Sequence, residues 1–142
     1  MSGGCEIIIA GFGVPGRLVA EALKAQQRSF CVIEMNPRTV NSCTAGGLNM
    51  LAGDARDPEV LRQAGIESAR MLVIAVPIDE SALQILQAAK QVHPSIRVVV
   101  RCNFTSTGMQ ALQLGATEVV IAEQIVGERL VQALSPATHS HS

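Results

Sequence analysis

The chain has 142 residues, enough for one domain that buries roughly two-thirds of its unfolded surface with no disulfide or metal support. Its hydrophobic fraction is 48% but its aromatic fraction only 2%, so the core must be aliphatic, and the surplus of Val, Ile, Leu and Ala suits strands buried on both faces. A net charge of −1 with acids and bases interspersed leaves no electrostatic footprint for nucleic acid or an anionic membrane surface, and neither is expected as a direct ligand.

The first apolar run, residues 7–10, meets Gly11-Phe12-Gly13-Val14-Pro15-Gly16, and a helical pattern follows over 16–26. A second apolar run, 30–34, ends in Glu34. Strand, G-x-G-x-x-G turn, helix, strand and acid, in that order, form the sequence of a dinucleotide-binding βαβ unit. Gly11 permits the tight turn, and Gly13 lets the backbone approach a phosphate with no Cβ in the way. Gly16 permits close helix–strand packing, so that N–H groups at the helix start face an anion. Glu34 falls where a carboxylate can accept hydrogen bonds from both ribose hydroxyls. Without this context, three glycines would more often mean only a tight turn.

Further along, helical patterns at 37–45, 58–64, 79–92, 105–114 and 123–134 alternate with apolar runs at 49–52, 71–76, 98–101 and 118–122. Asn36-Pro37, Asp57-Pro58 and Asp79 open helices; Gly46-Gly47, Gly65 and Gly115 follow helix ends, and His93-Pro94 stops the long helix. The alternation predicts an α/β fold, a Rossmann-like doubly wound sheet of six parallel strands with right-handed crossovers and helices on both faces. Neither a composition break nor a repeat interrupts the pattern. Residues 1–134 therefore read as one nucleotide-binding domain and 135–142 as a flexible tail.

Cys5, Cys31, Cys43 and Cys102 show no C-x-x-C spacing, and Cys31 and Cys102 lie in apolar runs where thiols act as small hydrophobes. A reducing, cytoplasmic setting is expected. The start of the chain has no basic segment, and the longest later apolar run, 71–78, is far short of a membrane span. The chain is expected to be soluble, without direct membrane insertion, any membrane link coming through a partner.

Helix 79–92 carries a core-facing stripe of Ala82, Ile85, Leu86, Ala89 and Val92, widened by Leu83 and Ala88. The last helix similarly presents Ile125, Val126, Leu130, Val131 and Leu134. Such arcs either cover a large sheet or form a homodimer face.

Ligands of doubly wound sheets sit outside the carboxyl ends of the strands. Those ends are the glycine turn, Glu34-Met35, Gly53-Asp54-Ala55, Ala75-Val76-Pro77 and Arg101. Gly53-Asp54 is either a turn and helix cap or a carboxylate that meets the exocyclic amine of an adenine. Arg101 needs an anion, either Glu118, Glu123 or a ligand phosphate. An NAD-dependent oxidoreductase, the default association of the glycine fingerprint, needs a proton-transfer group and room for a substrate domain. His93 precedes a proline, His139 and His141 lie in the tail, and Lys24 and Lys90 fall on helix surfaces. No catalytic or metal-binding residue is expected, and a redox-sensing repressor lacks a winged-helix segment.

Several motifs in fixed order carry a resemblance: Ile9-Ala10-Gly11-Phe12-Gly13 with Gly16-Arg17, Val32-Ile33-Glu34, Gly53-Asp54-Ala55, Val60-Leu61 with Ala64-Gly65-Ile66, Ala69-Arg70, Val98-Val99-Val100-Arg101, and Leu114-Gly115-Ala116 with Glu118-Val119-Val120. Together they resemble the N-terminal domain of regulators of potassium conductance (RCK), also called TrkA-N or KTN, closest to the cytoplasmic domains of Kef-like cation/proton antiporters. The resemblance implies a regulatory domain that binds an adenine nucleotide and gates a membrane cation transporter. By position, Gly11, Phe12, Gly13, Val14, Pro15 and Gly16 would cradle phosphate and Glu34 would hold ribose. Met35 would lie against the adenosine, Asp54 with Ala55 would read adenine, Ala75 and Val76 would wall the crevice, and Arg101 would sit near its phosphate end. Many relatives carry Arg in place of Val14, and Pro15 lacks an N–H. AMP or NAD(H) is therefore expected ahead of ATP or ADP, and Glu34 disfavours the 2′-phosphate of NADP.

Overall fold

The computed structural model describes residues 5–135; the tail expected over 135–142, with His139 and His141, lies outside them but for Ser135. Six strands alternate with six helices: β1 (Ile7–Ala10), α1 (Val14–Ala25), β2 (Phe30–Glu34), α2 (Pro37–Ala45), β3 (Met50–Ala52), α3 (Pro58–Gln63), β4 (Met71–Ile74), α4 (Asp79–Val92), β5 (Arg97–Cys102), α5 (Thr105–Gln113), β6 (Glu118–Ile121) and α6 (Ala122–Ala133). A short 3-10 turn, Ile66–Ser68, precedes β4. The strands form one parallel sheet in the order β3-β2-β1-β4-β5-β6. Strand order reverses between β1 and β4, as the alternating pattern predicts.

All four residues of β1 are buried because both sheet faces are covered there. Ile8, Ala10, Ile33, Leu72, Ile74, Val98 and Val100 pack on one side against Leu61 of α3 and Ala82, Ile85, Leu86 and Ala89 of α4. Ile7, Ile9 and Val32 pack on the other against Phe12 and against Ala20 and Leu23 of α1. The wide arc of α4 is thus core cover, since Ala88 is buried too and Leu83 and Val92 pack against the same cluster. On α6 the outcome differs: none of its residues is buried. Ile125, Val126, Leu130 and Val131 are 51–64% exposed, so this arc does not cover the sheet of its own chain.

Boundaries shift where backbone chemistry allows. The first helix starts at Val14 rather than Gly16, because the first N–H groups of a helix lack intrahelical acceptors and Pro15 loses nothing there. Strand β4 ends at Ile74 rather than Val76; Ala75 still donates to the Ala10 carbonyl at 2.8 Å, and Pro77 lies just beyond. Asn36 and Asp57 cap α2 and α3, accepting from the Arg38 and Glu59 amides at 3.0 and 2.9 Å.

Asp79 does not cap its own helix. Ile78 is the N-cap of α4, and the Asp79 carboxylate crosses to the start of α5, where it accepts from the Asn103 and Phe104 amides at 2.8 and 3.3 Å. Thr105, at the first position of α5, donates through its own N–H and hydroxyl to Glu123. Burial pushes the Asp79 carboxyl up, but hydrogen bonds from Thr107, Asn103 and Phe104 and the charge of Arg101 outweigh it and hold it below the ordinary aspartate value.

The thiols of Cys5, Cys31 and Cys102 are buried and free. Burial, with Cys5 beside it, pushes the Cys31 thiol up to about 12.

Two outcomes follow from these contacts. A Cβ at Gly16 would collide with the Gly11 carbonyl oxygen, whereas one at Gly13 meets nothing within 4 Å. Gly16→Ala is expected to cost about 2 kcal/mol or more in urea melts, and Gly13→Ala at most about 1 kcal/mol; equal melts would refute the packing role. The stability contributed by Asp79 is fully present above its unfolded value and is lost as pH falls through its depressed folded value. Asp79→Asn should therefore unfold at lower urea than wild type at neutral pH, the gap closing as acidification carries the pH through that depressed folded value.

Candidate functional site

At the reversal between β1 and β4 the strand ends open into a crevice of about 530 Å³, within the size range of small-molecule sites. Its floor is the turn after β1. Gly11 takes φ +98°, and a Cβ there would press on Val76 Cγ1 at 3.0 Å and on the Ala75 carbonyl carbon at 3.2 Å. The turn and the β4–α4 connection therefore approach as closely as backbone permits.

The Glu34 carboxylate closes one end. Its Oε1 accepts from the Phe12 amide at 2.9 Å and its Oε2 from the Asn36 amide at 3.0 Å, which ties the end of β2 to the glycine turn. One amide read as phosphate-facing, that of Phe12, is thus committed to Glu34. Each carboxylate oxygen keeps acceptor capacity for a hydroxyl donor. Met35, 63% exposed, lies at the rim.

Asp54 lines the crevice with Gly53, whose amide donates to the Glu34 carbonyl at 3.1 Å, and Ala55. It accepts from the Arg56 amide at 3.0 Å and forms a two-point ion pair with the Arg56 guanidinium, closest at 2.7 Å. Those side-chain hydrogen bonds hold its carboxyl below the ordinary aspartate range, against the upward push of partial burial. Ala75, Val76, Pro77, Ile78 and Ile85 form the apolar wall.

The crevice thus gathers Gly11, Phe12, Gly13, Glu34, Met35, Gly53, Asp54, Ala55, Ala75 and Val76. Four expected residues stand outside its lining. Val14 is 70% exposed on the first turn of α1, and Gly16 is buried against Gly11. Pro15 and Arg101 face a second groove on the opposite side of the sheet. Arg101 is on that side because β5 alternates: Val98, Val100 and Cys102 point into the α4-side core, and Val99 and Arg101 point away. Neither Glu118 nor Glu123 is its partner; its Nη2 donates to Asn103 Oδ1 at 3.0 Å. Arg17 stacks over the Phe12 ring, 4.6 Å from its centroid, and does not reach the crevice. Arg56, Ile78, Ser81 and Ile85 line the crevice without having been anticipated. The last three repeat at i, i+3 and i+7, a spacing that marks one helix face and could have identified them.

The second groove, about 380 Å³, runs between Val73, Val99 and Val120 of the sheet and Ile125 and Val126 of α6, with Arg101 its one charged residue. Asn103 joins the two regions. Its amide donates to Asp79, its Nδ2 to the Pro77 carbonyl in the crevice wall at 2.6 Å; its carbonyl accepts from the Glu123 amide in α6, and its Oδ1 from Arg101.

Chemically the crevice offers two fixed acceptors and a helix start, and among the described residues its lining includes neither His nor Lys. His93 Nδ1 lies 2.9 Å from the Ile66 carbonyl, and Lys90 donates to the Ile96 and Pro94 carbonyls. Among the described residues no helix is long and apolar enough to cross a membrane.

Known proteins share this architecture. The chain is 32% identical over 115 residues to a putative K(+) efflux antiporter, KefB, of Alkalimonas amylolytica, covering 81% of this chain and 17% of that protein. The TrkA-N domain of the Escherichia coli inner membrane protein YbaL matches with a TM-score of 0.87 and 25% identity, over 92% of this chain and 98% of that one. The AMP-bound Kef CTD of Shewanella denitrificans matches with a TM-score of 0.79 and 28% identity, over 96% and 82%. The chain spans about a fifth of the length of the curated relatives it matches. Residues 7–122, from the first residue of β1 to the first of α6, match the TrkA-N domain, and the chain belongs to that family.

Proposed function

We propose that this chain is a nucleotide-sensing regulatory unit of a potassium or other cation transport system, acting at the cytoplasmic face of the membrane through a transporter or antiporter partner. One observation carries the reading: two acceptor carboxylates and the glycine turn converge at the strand-order reversal, in a chain 28% identical to a domain crystallised with AMP. Glu34 meets the ribose hydroxyls, Asp54 with Ala55 meets the adenine edge, and the phosphate rests beyond Gly13, against the amides of Val14 and Gly16 at the start of α1.

AMP is the preferred ligand, NAD(H) the second, and ADP and ATP rank behind. Val14 brings no cation to the helix start and Pro15 brings no N–H. Arg17 is engaged over Phe12 and Arg101 in the second groove. Nothing at the helix start thus compensates a chain of further phosphates.

The working unit is a homodimer, supported by the uncovered apolar face of α6 and the apolar groove beside it. A ligand regulates only if it binds one dimer arrangement better than another; a tenfold difference is about 1.4 kcal/mol. The unit performs no chemistry of its own. An oxidoreductase would need a proton donor or acceptor free of the nucleotide; in this reading Glu34 and Asp54 are taken up by ribose and adenine, and His93 and Lys90 are held elsewhere by backbone carbonyls.

Calorimetric titration with AMP, ADP, ATP, NAD⁺ and NADH tests this. AMP should bind tightest, and Asp54→Ala or Glu34→Ala should each weaken it by about tenfold or more; absence of binding, or turnover of a hydroxy or carbonyl compound with NADH, overturns the proposal. In sedimentation equilibrium, Leu130→Asp together with Ile125→Asp should raise the dimer dissociation constant by about a hundredfold or more. An unchanged constant would remove α6 from the interface.

A further inference from the structure

Among the described residues Arg56 is the one cation lining the crevice, and its guanidinium bridges Asp54 of the lining to Gln84 just outside it. Nε lies 3.0 Å from Asp54 Oδ1 and 3.1 Å from Oδ2, Nη2 lies 2.7 Å from Oδ2, and Nη1 donates to Gln84 Oε1 of α4 at 3.2 Å. The side chain thus spans from the β3–α3 turn to α4. Its fork geometry fixes the plane and rotation of the Asp54 carboxylate in a way a single ammonium could not.

The pair does little for the fold. The Arg56 and Asp54 side chains are 42% and 34% exposed, and ion pairs that open to water contribute about 0–1 kcal/mol. Its consequence falls on Asp54 as an acceptor. A carboxylate offers about four acceptor sites. The Arg56 amide and Nε occupy those of Oδ1, while Oδ2 takes Nη2 and a share of the same Nε–H. Whatever acceptor capacity the carboxylate keeps for a ligand can meet only a donor.

We propose that Arg56 sets the base preference of the crevice: by clamping Asp54 as an oriented, acceptor-only group, it admits a purine bearing an exocyclic amine at C6 and rejects a 6-oxo purine. The inference rests on the nucleotide reading above. A 6-oxo oxygen at that place would face a carboxylate lone pair with no proton between them, leaving both acceptors unsatisfied. Without the clamp the carboxylate turns and gains a proton more readily, and either base is tolerated. The hydrogen bonds that Arg56 donates to the carboxyl also keep it ionised on acidification.

The test is calorimetric titration of AMP and IMP into the full chain and its Arg56→Gln and Arg56→Lys variants, with AMP affinity followed from neutral pH to about pH 4. Wild type should prefer AMP by about tenfold to a hundredfold. Arg56→Gln should bring the two nucleotides to within about threefold of one another and move the acid loss of AMP binding to higher pH, with Arg56→Lys between. The titrations of AMP itself are common to all three proteins and cancel in the comparison. Equal thermal midpoints for wild type and Arg56→Gln establish that the shift is not a folding defect. If wild type binds AMP but Arg56→Gln keeps both the preference and the acid profile, the inference fails and the nucleotide reading stands; if wild type binds neither nucleotide, that reading fails and takes the inference with it.

Discussion

The approach of two glycines governs this molecule. Gly16 sits so close to the Gly11 carbonyl that no side-chain atom fits between them, and this contact anchors the start of α1 directly over the end of β1. With α1 so placed, the turn between them lies flat against the β4–α4 connection, where Gly11 adopts its left-handed conformation. The space left above is the crevice. Glu34 then locks the turn from the other side, one oxygen on the Phe12 amide and one on the Asn36 amide. The site is therefore organised before any ligand arrives, its ordering cost met by the packing of the fold rather than by binding.

The parts of this arrangement visible in the sequence are those in which a residue type answers a backbone demand. Gly11 and Gly16 have no substitutes at their positions, Glu34 ends a strand, and Asp54 follows a strand-ending glycine; each is legible because local geometry dictates the residue. Six strands and six helices follow from apolar period and punctuation for the same reason. The elements that escaped are those decided by distance in space. Asp79 has the look of a cap for its own helix, but its acceptors serve amides 24 residues further on. Arg56 escaped because its reach to Gln84 depends on how a turn and α4 meet, although its other partner, Asp54, is only two residues away. Arg101 shows its height at a strand end, and only the alternation of β5 tells which side of the sheet it faces. The arc of α6 is apolar in the same way as that of α4, and periodicity carries no information on whether the complementary surface belongs to the same chain.

Two regions with different chemistry thus share one sheet. The crevice with its two carboxylates opens on the α4 side, the wholly aliphatic groove around Arg101 on the α6 side, and Ala75 contributes to both linings. Asn103 spends all four of its hydrogen-bonding groups between them, on the crevice wall, the head of α4, the groove and α6. A polar junction of this kind is stiff, since moving any one partner breaks a hydrogen bond. The crevice and the posture of the neighbouring helix are in this way mechanically adjacent, although the two surfaces point in opposite directions.

The junction of β6 and α6 adds a kinematic consequence. Strand β6 ends at Ile121 and helix α6 begins at Ala122, with no residue between them. The helix therefore has no private hinge, and any swing must be absorbed as twist in an edge strand held by a single neighbour, β5. Such an elbow resists small angular drift yet yields as a unit once the edge ladder gives, so the heading of the protruding rod is inherited from the curvature of the sheet.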